Sequence, residues 1–232
     1  GGHGHTFPGA CVPFGLVQVS PDTRPDGYND WDGCGGYHHS DSLIYGFSHT
    51  HLSGTGVADL CDVLLMPRVG SMSLSNGVDG QPGYRKAFDR STETANAGYY
   101  KVELTDAAGP ITGAMIQDDQ VDRSVANVLV ELTATSHVGL HRYTFRPGVP
   151  AHLVIDLRHR DKLINAWIKP SSATEMVGER RSVSWASDQR LFFCIQSNVP
   201  IQPSEHGYVH HGRTTSGNWP ALDSLVVADV GF

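Results

Sequence analysis

Apolar and polar residues alternate with a period of two along most of the second half of the chain. Tyr99-Tyr100-Lys101-Val102-Glu103-Leu104 reads this way, and so does Val128-Leu129-Val130-Glu131-Leu132-Thr133-Ala134-Thr135. Residues two apart share one face of a strand, so each segment offers one face to a core and one to water. Gly139 to Phe145, Leu153 to Leu157, Ile164 to Ile168, Val183 to Trp185, Leu191 to Ile195 and Ser224 to Val230 continue the series. Gly, Pro and Asp punctuate it at roughly ten-residue intervals. The pattern predicts an all-β fold, an antiparallel β-sandwich.

The first third reads differently. Val12 to Val19 and Leu60 to Met66 are short apolar runs that predict buried strands, and Ile44 to His51 predicts a third. Gly70 to Gly83 has loop composition, with Asn76-Gly77 and Asp79-Gly80 as turn signals. No segment holds a helical apolar stripe beyond two turns, so any helix is short. Too few strands fall in this part to enclose a core of their own. Residues 1–232 are therefore expected to form one domain with a loop-rich N-terminal third.

Composition sharpens this picture. The 232 residues include 26 Gly and 13 Pro, and only 18% are charged. Many turn formers and few charges favour numerous short strands. Twelve of the glycines fall within the first sixty residues, which marks where backbone must turn tightly or approach closely. A formal net charge of −7 argues against a nucleic-acid partner. No apolar run reaches the roughly 18 residues of a membrane span. Cys11, Cys34, Cys61 and Cys194 form no C-x-x-C pair, which weakens a zinc-ribbon reading and favours buried free thiols over disulfides.

Several clusters have chemical potential. His3, His5, His38, His39, His49 and His51 crowd the first third. On a strand His49 and His51 would point at the same atom, and Asp59 and Asp62 follow shortly; this is the vocabulary of a small zinc hydrolase. The plainer reading has these side chains bonding loop backbone. Gly54-Thr55-Gly56 suits close approach to a ligand or simply a tight turn. Trp31, between Asp30 and Asp32 and followed by Gly33, Gly35 and Gly36, suits a sugar, whose C–H faces stack on aromatic rings while hydroxyls bond carboxylates. It equally suits a loop tryptophan capping the sandwich. Arg158-His159-Arg160-Asp161 reads as a solvated turn after a strand. Trp185 to Gln189 reads as a ligand-facing loop or a sheet edge. No G-x-S-x-G elbow is present, and spacing selects no pair of carboxyl groups for glycosidase chemistry.

The opening Gly1 to Ala10 (GGHGHTFPGA), then Val12-Pro13-Phe14-Gly15-Leu16-Val17-Gln18 and Ser20-Pro21-Asp22-Thr23, resembles the start of the family 92 glycoside hydrolases. Gly36-Tyr37-His38 and Ile44 to Pro67 (IYGFSHTHLSGTGVADLCDVLLMP) resemble that family's most recognisable stretch. His141 to Phe145, Ile155 to Arg160 and Trp185 to Gln189 follow as later landmarks in the right order.

The resemblance implies a galactose-mutarotase-like, supersandwich N-terminal domain of a calcium-dependent exo-α-mannosidase. Such an enzyme removes terminal α-linked mannose, α-1,2 bonds here, with inversion. It also implies an active site shared with a C-terminal (α/α)₆ barrel that this chain lacks. The acid, the base and the Ca²⁺ ligands belong to that barrel, so no catalytic residue or metal ligand is assigned here. The isolated chain is expected to be inactive, and its barrel-facing surface to carry a large apolar patch. What carries over is part of the wall of a mannose subsite: His5, Phe7, Trp31, Gly54, Thr55 and Gly56. Mannose-containing glycans of N-glycan or yeast mannan type are the implied partners, and a secreted, periplasmic or cell-surface location is implied. The alternative from another class is a free-standing carbohydrate-binding module. The stretch Asp106 to Asn127 departs from the family as an insertion or lengthened hairpin.

Overall fold

The computed structural model describes residues 3–25, 30–70, 73–78, 80, 82–105, 128–145, 150–203 and 225–230. The expected insertion at 106–127 lies outside them. In chain order the strands are β1 (Ala10–Cys11), β2 (Gln18–Asp22), β3 (Leu43–Ile44), β4 (Gly46–Ser48), β5 (Leu64–Val69), β6 (Lys86–Asn96), β7 (Tyr99–Thr105) and β8 (Val128–Ala134). They continue with β9 (Gly139–Thr144), β10 (Ala151–Asp156), β11 (Lys162–Ser172), β12 (Glu175–Val183), β13 (Gln189–Gln196), β14 (Ile201–Pro203) and β15 (Leu225–Val230). Among the described residues the sole helical element is a 3₁₀ turn at Trp31–Gly33. The chain is all-β with antiparallel pairing, as the alternation predicts.

Three sheets stack as layers. The middle one runs β1-β2-β4-β5-β10-β15-β14. A five-stranded sheet, β3-β6-β7-β8-β9, packs on one side, and a three-stranded sheet, β11-β12-β13, lies on the other. Two apolar clusters fill the gaps. The first joins Val19, Phe47, Leu64, Met66 and Val154 to Tyr100, Val102, Val130 and Leu132. The second joins Val63, Leu65, Ile155 and Leu157 to Ala166, Ile168 and Met176. Neighbouring residues of β5 thus point into different cores, Leu64 and Met66 into one and Leu65 into the other. A strand covered on both faces needs an unbroken apolar run, which Val63 to Met66 supplies.

Some strand expectations move. The run from Val12 becomes a loop, and the strand begins at Gln18. Pro13 and Gly15 spoil the early part for a ladder, and Phe14 sits there at φ +60, fully exposed. Ile44 to His51 splits. Leu43–Ile44 joins the five-stranded sheet, while Gly46–Ser48 joins the middle one. Leu64 packs where a side chain at Gly46 would lie, its Cγ 2.5 Å from the Cβ position. Trp185 is not in a strand; it lies in the bend between β12 and β13. The strand before it, Glu175–Val183, turns Gly178, Arg180 and Ser182 inward, so its buried face has little apolar signature. β6 carries the same disguise: it is mostly polar and buries Lys86.

Candidate functional site

The segments singled out in the first third converge at one end of the molecule. Trp31 stands on the 3₁₀ turn with 60% of its surface exposed. The His5 ring meets it edge-on, with centroids 4.6 Å apart and planes at 87°. His5 Nε2–H donates to the Trp31 carbonyl at 3.0 Å. Gly54 N–H donates to the His5 carbonyl at 2.6 Å. Gly56, at φ +67, lies directly against the Trp31 ring. Thr55 spans the turn between the two glycines, and its hydroxyl bonds the carbonyl of Val57 at 3.3 Å. His5, Trp31, Gly54 and Gly56 are therefore joined by direct contacts. Phe7 is not among them: it packs inward on the His51 ring, with centroids 4.9 Å apart.

The Trp31 turn is held from beneath by buried charge. Arg160 Nη2 donates to the carbonyls of Gly33 at 2.7 Å and Cys34 at 3.0 Å. Arg24 donates to Asp41 at 3.0 Å and to Asp30 at 3.2 Å, fixing the residue before Trp31. Arg160 belongs to the run after β10 expected to be a solvated turn. That expectation is corrected: His159 and Asp161 are buried, and only Arg158 faces solvent. The run is polar because it anchors loops, not because water surrounds it.

Asp22 lies at the centre of this anchorage. His51 Nε2 is 2.9 Å from Asp22 Oδ1, and His159 Nε2 is 3.1 Å from Asp22 Oδ2. His51 Nδ1–H also donates to the Gln18 carbonyl at 2.8 Å. Burial pushes the Asp22 pKa up, but the two imidazoles outweigh it and hold the carboxyl well below the usual range. Burial pushes His51 down, yet the Cys61 thiol and Asp22 reverse this and raise it to about 10. His51 is thus an imidazolium paired with a carboxylate.

The zinc-hydrolase set does not form. His51 turns to Asp22, whereas His49 turns to His141, Nε2 to Nε2 at 3.0 Å. Asp62 is bound by Arg180, by the Thr50 hydroxyl at 2.7 Å and by Gln189 at 3.0 Å. Asp59 accepts from the backbone of Leu60 at 2.8 Å and Trp185 at 3.2 Å. Among the described residues, one grouping has donor atoms close enough for an ion: Asp22, His51 and Cys61, within 4.8 Å of one another. One carboxylate, an imidazole and a thiol do not fit calcium, which takes six to eight oxygens. Arg160 already supplies positive charge beside Asp22 and Cys61.

Asp59 and Asp161 form a carboxyl pair in hydrogen-bond contact. Burial first, then Asp59, raises the Asp161 pKa to about 8, against the opposing pull of Arg180. The pair is buried and in direct contact. Glycosidase carboxyl groups stand about 5–9.5 Å apart to admit a sugar bond or a water. This pair is structural; Leu60 N–H donates to both members. All four cysteines are free thiols; Cys34 and Cys61 are buried as expected, while Cys194 is exposed.

Comparison with known proteins fixes the lineage. The family model for the glycosyl hydrolase family 92 N-terminal domain matches residues 1–224. The chain belongs to glycosyl hydrolase family 92. It superposes on a family 92 α-mannosidase of Bacteroides thetaiotaomicron, solved in complex with mannoimidazole, with a TM-score of 0.79 and 26% identity. The match covers 100% of this chain and 29% of that one. A family 92 inverting mannosidase of Bacteroides thetaiotaomicron VPI-5482, at 20% identity and a TM-score of 0.68, shares the fold over 99% of this chain and 27% of its own. An uncharacterized secreted glycosidase of Arthroderma benhamiae is 26% identical over 144 residues, 61% of this chain and 16% of that protein. The family 92 domain thus spans less than a third of the length of these relatives. Among its described residues no helix is long and apolar enough to cross a membrane.

Proposed function

We propose that this domain forms one wall of the mannose site in a longer exo-α-mannosidase, which removes terminal α-1,2-linked mannose with inversion. The supporting observation is the exposed Trp31 ring, flanked by His5 and Gly56 and pinned from below by Arg160 and Arg24. A flat apolar face held in place by hydrogen bonds is pre-organised to stack on one side of a sugar ring. The neighbouring carboxylates Asp30 and Asp32 carry their own partners, Arg24 and His3, so they shape the rim rather than donate protons.

The catalytic acid and base, and a Ca²⁺ that grips mannose hydroxyls, belong in this reading to the part of the enzyme outside residues 1–232. Inversion needs two carboxyl groups far enough apart for a water. The exposed apolar side chains Phe14, Leu16, Val138 and Leu140 suit a surface covered by that part. Leu16 N–H bonds the Ser136 carbonyl at 2.8 Å, which joins their loops into one patch. Mannose-rich N-glycans or yeast mannan are the substrates proposed, met outside the cell or in a bacterial periplasm.

Trp31→Ala in the full-length enzyme tests this. The expected result is a loss of at least tenfold in kcat/KM for mannose release. Unchanged kcat/KM removes Trp31 from the site. Tight binding of mannose oligosaccharides by the isolated chain, measured by calorimetry, favours a carbohydrate-binding module instead.

A further inference from the structure

We propose that Trp185 forms a second sugar platform, taking the residues of the glycan that follow the terminal mannose; this rests on the mannosidase reading above. Trp185 is 65% exposed, more than Trp31, although a tryptophan buries 150–250 Å² when covered. It sits in the bend between two paired strands, β12 and β13, and the base of that bend is closed by Arg181 donating to Asp188 at 2.8 Å. The side chain is thus presented on a fixed support.

The same loop that touches Trp31 holds this bend. Ser184 Oγ donates to the Ala58 carbonyl at 3.1 Å, and Trp185 N–H donates to Asp59 Oδ2 at 3.2 Å. Gly56 touches the Trp31 ring, and Asp59 is only three residues further on. Successive Cα atoms are 3.8 Å apart, so Gly56 and Asp59 are separated by at most about 11 Å. The two exposed tryptophans are therefore tied to one short loop, Trp31 at Gly56 and Trp185 at Asp59. The buried Asp59–Asp161 pair and Leu60 N–H brace that loop. Val57, between these two attachment points in the sequence, is itself exposed and adds apolar surface to the loop. Rigid aromatic anchors at such a rim carry binding energy at little entropic cost.

The test uses the full-length enzyme with Trp185→Ala and Trp185→Tyr, on an α-1,2-linked mannotriose and on methyl α-mannoside, which lacks the following sugars. The expected result for Trp185→Ala is about a tenfold fall in the ratio of the two kcat/KM values, carried by KM for the trisaccharide. Trp185→Tyr keeps a ring and should recover most of that ratio. Calorimetry with the trisaccharide and with mannose gives a readout independent of turnover, and the trisaccharide affinity should fall the more. Equal losses on both ligands, or no loss on either, overturns the second platform while leaving the Trp31 site standing. An enzyme that neither cleaves nor binds mannosides overturns the reading on which it rests.

Discussion

A side chain at Gly56 would place its Cβ 2.8 Å from both Cη2 and Cζ3 of Trp31, closer than carbon atoms pack. Glycine there lets the loop touch the ring face to backbone, and the φ of +67 adds a second reason for it. Gly56→Ala should cost about 1–2 kcal/mol from the left-handed backbone alone. The clash should also displace the indole and raise KM severalfold in the full-length enzyme. Gly54→Ala is the control for backbone cost: Gly54 sits at φ +76 with nothing within 4 Å of a Cβ, so a similar stability loss should come with a smaller KM effect. Urea unfolding and initial rates measure both.

The His51–Asp22 pair should dominate the stability of the loop-rich third. Asp22→Asn leaves a buried imidazolium without its carboxylate, a loss of about 3–5 kcal/mol. The pH signs follow from the two shifts. Asp22 is depressed, so its contribution is complete above about pH 4 and is lost on acidification. His51 is raised, so its contribution is complete below about pH 6.5 and is lost as pH climbs through about 10. Denaturation midpoints measured from about pH 2 to about pH 10 should show both limbs in the parent chain, and both should weaken in the variant.

Asp161 should show the opposite slope to an ordinary paired carboxylate. Its pKa is raised to about 8, so the folded chain binds a proton that the unfolded chain releases near pH 4. Its effect on stability is therefore best below about pH 4 and erodes as pH rises toward 8. Asp161→Asn keeps a neutral donor toward Asp59 and should flatten that slope, gaining on the order of 1 kcal/mol near pH 8. A variant with the parent's slope would show that the proton is not held there.

His49 and His141 make a further acid-sensitive element. His49 Nδ1–H donates to the Val63 carbonyl at 2.7 Å, which leaves its Nε2 as acceptor for His141 Nε2–H. The Tyr143 hydroxyl then donates to His141 Nδ1 at 2.7 Å. Every proton in this chain is placed by a neutral pair. Burial lowers both histidines, His141 most strongly, with the neighbouring imidazole adding to the effect. The unfolded chain takes up protons below about pH 6.5 that the folded one refuses, so stability should fall from there downward. Nitrogen-15 chemical shifts should show both rings neutral at pH 6; an imidazolium at either would contradict the arrangement.

Sequence patterning reached the strands whose inward faces are apolar and missed those whose inward faces are not. β7 and β8 alternate openly. β12 hides because its buried positions include Arg180, satisfied by the carbonyls of Leu157 and His159 and by Asp62. The same cause hid the anchor at His159 to Asp161: a charged run looks solvated until its partners, which are distant in sequence, are known. Asp22 gave no local signal at all, since its role depends on His51 and His159 arriving from other elements. The contact among His5, Trp31 and Gly56 joins three separate loops, and only family resemblance singled them out together. The glycine density of the first sixty residues was the physical trace that such close approaches exist.

Mannose release by the isolated 232-residue chain, assayed beside the full-length enzyme on α-1,2-linked mannobiose, bears most directly on the division of labour proposed here. The full-length enzyme should release mannose and the folded domain should release none above the buffer background. Mannose released by the domain alone, and abolished by changing one of its own carboxylates, would contradict the account.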